Sequence, residues 1–375
     1  MNSDGDLLIV GDISIAEKFI SEFKYRNSMA LYFIASTRTS TIPGISIAGS
    51  TSEATLCTPG LDVEYLVLGM PVSMNVIPVT PDGIPTPALL TRVALGLLGI
   101  PYIVVDTGSY LDPKIPHVDL PSRTIGDRID SGSALPREVA IRLFEEARIL
   151  GRMLGSKSMA FIVGESMPGG TTTAMAIMES LGYRAIGRVS SAGPDNPHKL
   201  KEEVFRKGIE NSGLKIPIDD VFRAIAAIGD PLHISIAGFV AGVLEKNSIV
   251  LLAGGTQMCS VLAILKKLGI DLRERVAIGT TKWIIEDSSS DIRGLVRDIA
   301  PEIPIIATKL SFNDVHYKGL KAYEEGYVKE GVGAGGTIVA LTILKDIKLD
   351  ELKKSILYEY ERLLKLGLAE KDRTD

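Results

Sequence analysis

The sequence predicts an α/β protein, a mostly parallel, Rossmann-like sheet with helices on both faces and a small helical appendage. Three observations predict it. Short β-branched runs recur, each followed by a longer amphipathic stretch, and strand-then-helix alternation builds parallel sheets. The strand-like runs are nearly all apolar, as strands covered on both faces are. Hydrophobic content of 45% and charged content of 23% are ordinary for a folded chain, and 375 residues are enough for one large core with a small appendage.

Taken in order, Leu7–Val10, Ala30–Ile34, Tyr102–Val105, Met159–Val163, Ala185–Val189, Ile249–Leu252 and Pro304–Ala307 read as buried strands, each a short apolar run. Glu138–Leu154, Thr171–Leu181, Pro197–Ser212, Ile234–Lys246, Met258–Leu268 and Leu349–Leu366 read as helices, the last with one solvated, charged face. Thr37–Thr86 is rich in Gly, Pro, Ser and Thr, the least regular part of the chain, and reads as a flexible surface region or a binding flap. Ala88–Val105 is the most apolar stretch, but Thr91, Arg92 and Pro101 interrupt it, so no membrane span is expected. The N-terminal Met1–Asp6 has the wrong charge for a signal peptide.

A net charge of −5 argues against a broad basic face for nucleic acid, but leaves room for a nucleotide, which needs only a local positive potential. Cys57 and Cys259 form no CxxC, and the four histidines show no metal-ligand spacing. A cytoplasmic protein with reduced thiols and no metal is expected. The mean hydropathy of +0.21 points to much buried surface and a partly apolar subunit interface.

Chemistry concentrates where strands end, because ligands of such sheets bind outside the carboxyl ends of the strands. Met159–Val163 runs into Gly164-Glu-Ser-Met-Pro-Gly169-Gly170-Thr171-Thr172-Thr173 and then a helix. Strand, glycine-rich turn and helix start gather backbone N–H groups and a positive helix end, which bind phosphate without a cationic side chain. Gly169 and Gly170 allow close approach, and Thr171 and Thr172 add hydroxyls; the plain alternative is a threonine N-cap. The spacing fits Walker A except that Gly170 stands where the lysine must be, so a monophosphate suits the loop better than a triphosphate. The domain division expected is therefore a nucleotide-binding α/β domain over 1–345 and a C-terminal helix over 346–375, alone or within a small helical domain.

A second junction, Ala253-Gly254-Gly255-Thr256-Gln257, follows Ile249–Leu252, and two such loops on one sheet edge would face a common ligand. Near the C-terminus stands Glu330-Gly331-Val332-Gly333-Ala334-Gly335-Gly336-Thr337. Gly331, Gly333 and Gly336 count as GxGxxG, but a charged, helix-like Lys318–Lys329 precedes them where a dinucleotide site needs a strand. Alone, Glu330 reads as a surface acid ahead of a helix; partly desolvated, it would be a general base. Lys282 is a candidate second anion contact, Ser191 and Asp195 are candidate ribose contacts, and His233 reads as a helix-start or core histidine.

Together the two motifs resemble the nicotinate-nucleotide:dimethylbenzimidazole phosphoribosyltransferase family. Gly164–Thr172 aligns without a gap with that family's Gly-Glu-Met-Gly-Ile-Gly-Asn-Thr-Thr loop, and Glu330-Gly331-Val332-Gly333-Ala334 is similar to its Glu-Gly-Thr-Gly-Ala segment. The resemblance covers chiefly the chain from Arg137 onward and is closest to a divergent archaeal-type branch. It implies transfer of phosphoribose from nicotinate mononucleotide to 5,6-dimethylbenzimidazole or a related base in cobamide synthesis. Glu330 would be the catalytic base, Gly169, Gly170, Thr171 and Thr172 the phosphate contacts, and Glu165, Gly254, Gly255, Gly331 and Gly333 the pocket. It also implies no cofactor, small-molecule partners only, and a homodimer. The chain departs from the pattern at Gly170, where the family has asparagine, at Ala253-Gly254-Gly255, where it has Asp-Gly-Phe, and in lacking an N-terminal Asp-His-Gly, for which Ser36–Thr41 and Asp82–Thr86 are candidate replacements. A nucleotide-binding regulator or carrier without turnover, and a hydrolase releasing ribose phosphate, are the competing readings.

Overall fold

Eight strands form one sheet in the computed structural model, which describes residues 5–345 and 347–374, the last seven by backbone alone. Residues 1–4, on which the reading of the N-terminus leans, and Asp346 and Asp375 lie outside the described residues. The strands are β1 (Leu7–Val10), β2 (Asn27–Ala35), β3 (Tyr102–Gly108), β4 (Val118–Asp119), β5 (Met159–Ser166), β6 (Ile249–Ala253), β7 (Val276–Thr281) and β8 (Ile305–Thr308). Their order is β1-β8-β7-β6-β5-β2-β3-β4, and every pair is parallel except β1 with β8.

Because strand side chains alternate between faces, β2 and β5 divide their residues between two cores. Leu31, Phe33, Phe161 and Val163 pack with helices Arg137–Leu154, Gly170–Ser180, Pro231–Glu245 and Gln257–Lys267. Ala30, Tyr32, Ala160 and Ile162 face helices Ile13–Lys24, Ala88–Leu98 and Ala334–Lys345. Helix Leu349–Thr374 joins this second core through buried Leu352, Ile356, Tyr360 and Leu363. The predicted α/β sheet covered on both faces is thus the observed fold.

Two expectations change. Ala185–Val189 is not a strand: Glu179 Oε1 accepts from the N–H groups of Ala185 (2.5 Å) and Ile186 (2.8 Å), which satisfies backbone a ladder would otherwise need. The Thr37–Thr86 region is not wholly irregular, since Ser52–Leu68 is a helix capped by Thr51 with Pro59 inside it. The apolar stretch after Thr86 forms helix Ala88–Leu98, and no described helix is long and apolar enough to cross a membrane.

Helix Pro231–Glu245 carries Asp230 and His233 at its start, beneath the strand ends, and it is held by a close crossing with Arg137–Leu154. A Cβ on Gly242 would stand 2.1 Å from the Arg148 carbonyl oxygen, a backbone atom that cannot swing aside. Gly242→Ala is expected to cost about 1–3 kcal/mol, the usual price of overpacking, read as a drop of several degrees in Tm by circular dichroism. An unchanged Tm would mean that the helices do not cross at this spacing.

Candidate functional site

The chain leaves β2 towards β3 and leaves β5 towards β6, in opposite directions along the sheet. Their carboxyl ends therefore flank a topological switch point, where such sheets open a ligand crevice. The loops meet there: a Cβ on Gly169, whose φ is +78°, would lie 3.0 Å from Ser40 Cα, in the segment after β2.

Gly169 precedes helix Gly170–Ser180, so Gly170, Thr171 and Thr172 form its first turn, as expected of an anion-binding helix start. Gly170 N–H closes the turn on Met167 O at 3.0 Å. Thr172 is fully buried and its Oγ1 has no partner. The loop, which needs no cationic side chain to bind an anion, nevertheless has one behind it. Lys201, buried completely, donates from Nζ to Thr171 Oγ1 (3.0 Å), Ser191 Oγ (2.7 Å) and Ser190 O (2.9 Å). Burial, reinforced by the nearby charge of Lys329, lowers the Lys201 amine to about 7. Lys329 Nζ is 3.1 Å from Asp287 Oδ2 and donates to Gly193 O at 3.0 Å. Against the penalty of burial, hydrogen bonds from Ser289 and the Lys329 charge hold Asp287 at about 2.

The glycine run after Glu330 brings the first turn of helix Ala334–Lys345 onto the ends of the central strands. A Cβ on Gly335 would fall 2.2 Å from Thr280 C, so only glycine fits there. That contact directs Gly335 N–H at the Glu330 carboxyl, 3.1 Å from Oε1 and 3.2 Å from Oε2. Gly331 N–H (3.1 Å) and Thr280 Oγ1 (3.3 Å) complete the enclosure. Glu330 as a residue is only partly buried, yet its carboxyl is shut in, and desolvation outweighs these donors to push it up to about 7. A surface acid would not behave so, and the plain reading of Glu330 is set aside.

Two further acids converge. Glu165, at the end of β5, is 3% exposed, and burial with the charges of Glu330, Asp230 and Asp62 pushes it to about 8, against the pull of His233. Its Oε1 accepts from Gln257 Nε2 at 2.9 Å, while Oε2, like Thr172 Oγ1, has no partner among the described residues. Asp62, on helix Ser52–Leu68, accepts from Ser166 Oγ and Thr86 Oγ1, both at 2.8 Å, and burial raises it to about 6.

Of the residues singled out from sequence, Glu165, Gly169, Gly170, Thr171, Thr172, Gly255, Gly331, Gly333 and Glu330 lie on this strand-end face. A Cβ on Gly255 would stand 3.7 Å from Glu330 Cβ, and one on Gly333 2.9 Å from Gly164 Cα, which joins the two motifs directly. Gly254 is tied to the neighbouring strand instead, its N–H bonded to Gly279 O at 2.9 Å. Lys282 is paired with Glu324 at 2.8 Å. Sequence reading missed Lys201, Lys329, Asp62 and Gln257. For Lys201 a signal existed: it shares a stripe with Val204, Phe205 and Gly208, the buried face of its helix, where a lysine has no reason to be unless a partner waits.

Comparison with known proteins gives the family. Residues 93–281 match the model of a phosphoribosyltransferase family, a span that includes the Gly164–Thr172 loop and ends before Glu330. The chain is 49% identical over 329 residues to a UPF0284 protein of Aeropyrum pernix, covering 88% of this chain and 91% of that one. It is 46% identical to one of Pyrobaculum calidifontis (88% and 94% covered) and 39% to one of Methanopyrus kandleri (94% and 92%). In fold it is similar to the nicotinate-nucleotide-dimethylbenzimidazole phosphoribosyltransferase of Thermus thermophilus, with a TM-score of 0.59, 15% identity and 90% of each chain covered. The family match over half of the chain and these relatives lead to one conclusion: the chain belongs to the nicotinate-nucleotide:dimethylbenzimidazole phosphoribosyltransferase family, in the archaeal branch of the UPF0284 proteins.

Proposed function

We propose that the protein transfers phosphoribose from nicotinate mononucleotide to 5,6-dimethylbenzimidazole or a related base, releasing nicotinate and forming α-ribazole 5′-phosphate, in cobamide synthesis. One observation carries this reading: Glu330, with its enclosed carboxyl, and the Gly164–Thr172 loop, backed by Lys201, open on the same strand ends. The 5′-phosphate sits on the first turn of helix Gly170–Ser180, and Lys201, whose three donors are taken by Thr171, Ser190 and Ser191, adds positive charge behind that turn and orients the Thr171 hydroxyl. The base attacks C1′ through one ring nitrogen as the bond to nicotinate breaks. The bonding pair returns to the pyridinium nitrogen, so that leaving group needs no acid. Attack from the face opposite nicotinate inverts C1′, which turns a β-nucleotide into an α-product. Cationic charge builds on the incoming ring, and Glu330 takes the proton from its second nitrogen.

Glu330 acts as a base only when ionised, and its carboxyl is raised to about 7, so kcat/KM should climb as pH rises through that value. Nicotinate release, followed by chromatography with dimethylbenzimidazole present, should fall about 10²- to 10⁴-fold in Glu330→Gln. Lys201→Met should raise KM for the nucleotide about ten-fold, since it removes the charge behind Thr171 and the donor that orients its hydroxyl, with a smaller change in kcat. Saturable nucleotide binding without nicotinate release, across a panel of benzimidazoles and purines, would sink this reading.

A further inference from the structure

Gly170 and Gln257 compete for one space. A Cβ on Gly170 would stand 2.0 Å from Gln257 Oε1 and 2.9 Å from its Cδ. Gln257 opens the helix after β6, so it reaches across from a neighbouring loop. Its amide fills the space that a side chain at Gly170 would need, and Gly170 is the position at which the resembled family's loop has asparagine.

That amide lies between two ionisable groups. Nε2 donates to Glu165 Oε1 at 2.9 Å. On its other side is His233, fully buried, whose Nδ1 is 2.6 Å from Oδ2 of the equally buried Asp230. Asp230 Oδ1 accepts from His233 N–H at 2.8 Å, so the aspartate takes both hydrogens as an acceptor. Although burial opposes it, the charge and hydrogen bond of Asp230 raise the His233 pKa, which favours the imidazolium with a hydrogen on each nitrogen. His233 Nε2 faces the Gln257 amide, and among the described residues neither it nor Gln257 Oε1 has a hydrogen-bond partner in ideal geometry. A cationic Nε2–H turns the amide so that Oε1 faces the ring and Nε2 faces Glu165. Glu165 must then accept at Oε1. A proton on this carboxyl is left to Oε2, the buried oxygen without a partner.

The charges around Glu165 make that proton useful. Asp62, Asp230 and Glu330 face it as acids and His233 as a cation. If Glu330 is to ionise as a base, a second carboxylate beside it is opposed by like-charge repulsion, and a neutral Glu165 removes the conflict. We propose that Gln257, oriented by the Asp230–His233 pair, is a positioning residue that fixes which oxygen of Glu165 carries the proton, holding Oε1 as the acceptor and leaving Oε2–H directed to an oxygen of the bound nucleotide. The role in turnover rests on the phosphoribosyl-transfer reading above; the state of Glu165 does not.

The two are tested separately. In the ligand-free protein labelled with ¹³C at glutamate carboxyls, the Glu165 signal is the one missing from Glu165→Gln. It should titrate near 8, move upward in His233→Gln, which removes a charge that lowers it, and move upward in Gln257→Met, which removes a donor to the carboxylate. Nicotinate mononucleotide should raise it further, since a hydrogen bond donated by the Glu165 carboxyl favours its protonated form. A Glu165 that titrates in the ordinary carboxylate range, or that neither substitution moves, overturns the proposal even if the enzyme turns over. In steady state, kcat should decline as pH rises through about 8 and this limb should shift upward in both variants, with kcat lowered about ten-fold or more. Gly170→Asn alone should be severely impaired, and the exchange Gly170→Asn with Gln257→Gly should recover at least ten-fold over it. An exchange no better than Gly170→Asn, with Tm values matching wild type, would show that the two amides are not equivalent. Absence of turnover in wild type with normal Glu165 titration would remove the transfer reading alone.

Discussion

The site depends on one close approach, that of the first turn of helix Ala334–Lys345 to the carboxyl ends of the central strands. A Cβ on Gly336 would meet Ala253 Cβ at 2.3 Å, and one on Gly335 would strike the backbone of Thr280. With side chains absent, peptide N–H groups come forward and water is displaced. Glu330 is left with fixed dipoles for solvent, enough to hold the carboxyl in place and too few to restore its ordinary acidity. Its readiness to take a proton near neutrality is thus a property of packing, set by a helix that must sit where a larger residue would forbid it.

Charge around the crevice is segregated. Asp62, Glu165 and Glu330 approach from three separate elements, while Lys201 and Lys329 stand behind the Thr171 and Gly193 side. The acids are raised and Lys201 is lowered by the same cause, burial, so each group sits near the point where it changes state. On the proposed reading, a mononucleotide with an anionic phosphate and a cationic ring has its own charges in the complementary order.

Much of this was legible in the sequence, and the exceptions have physical reasons. Apolar runs such as Met159–Val163 and Ile249–Leu252 announce strands because burial on both faces leaves no polar positions. Glycine loops at their ends announce the crevice. Ala185–Val189 has the composition of a strand, but a carboxylate supplies its hydrogen bonds, a long-range event with no local mark. Helix Ser52–Leu68 hides behind Pro59 and Gly60, residues that argue against a helix locally and are outvoted by the packing of its buried face. Asp62 was hidden with it. Gln257 escaped notice because its meaning lies in Gly170, a residue far away in sequence that makes room for it.

The sheet's edges bear on how copies of the chain meet. One side ends in β1, four residues laid antiparallel against β8, and the other tapers to β4, a strand of two residues. Among the described residues neither margin presents a long run of unpaired peptide groups, the template by which sheets add strands from a neighbour. Self-association through a continuous sheet is thereby discouraged at both margins, so any meeting of two copies falls to the helical layers, where shape and side-chain chemistry rather than backbone pairing decide the fit.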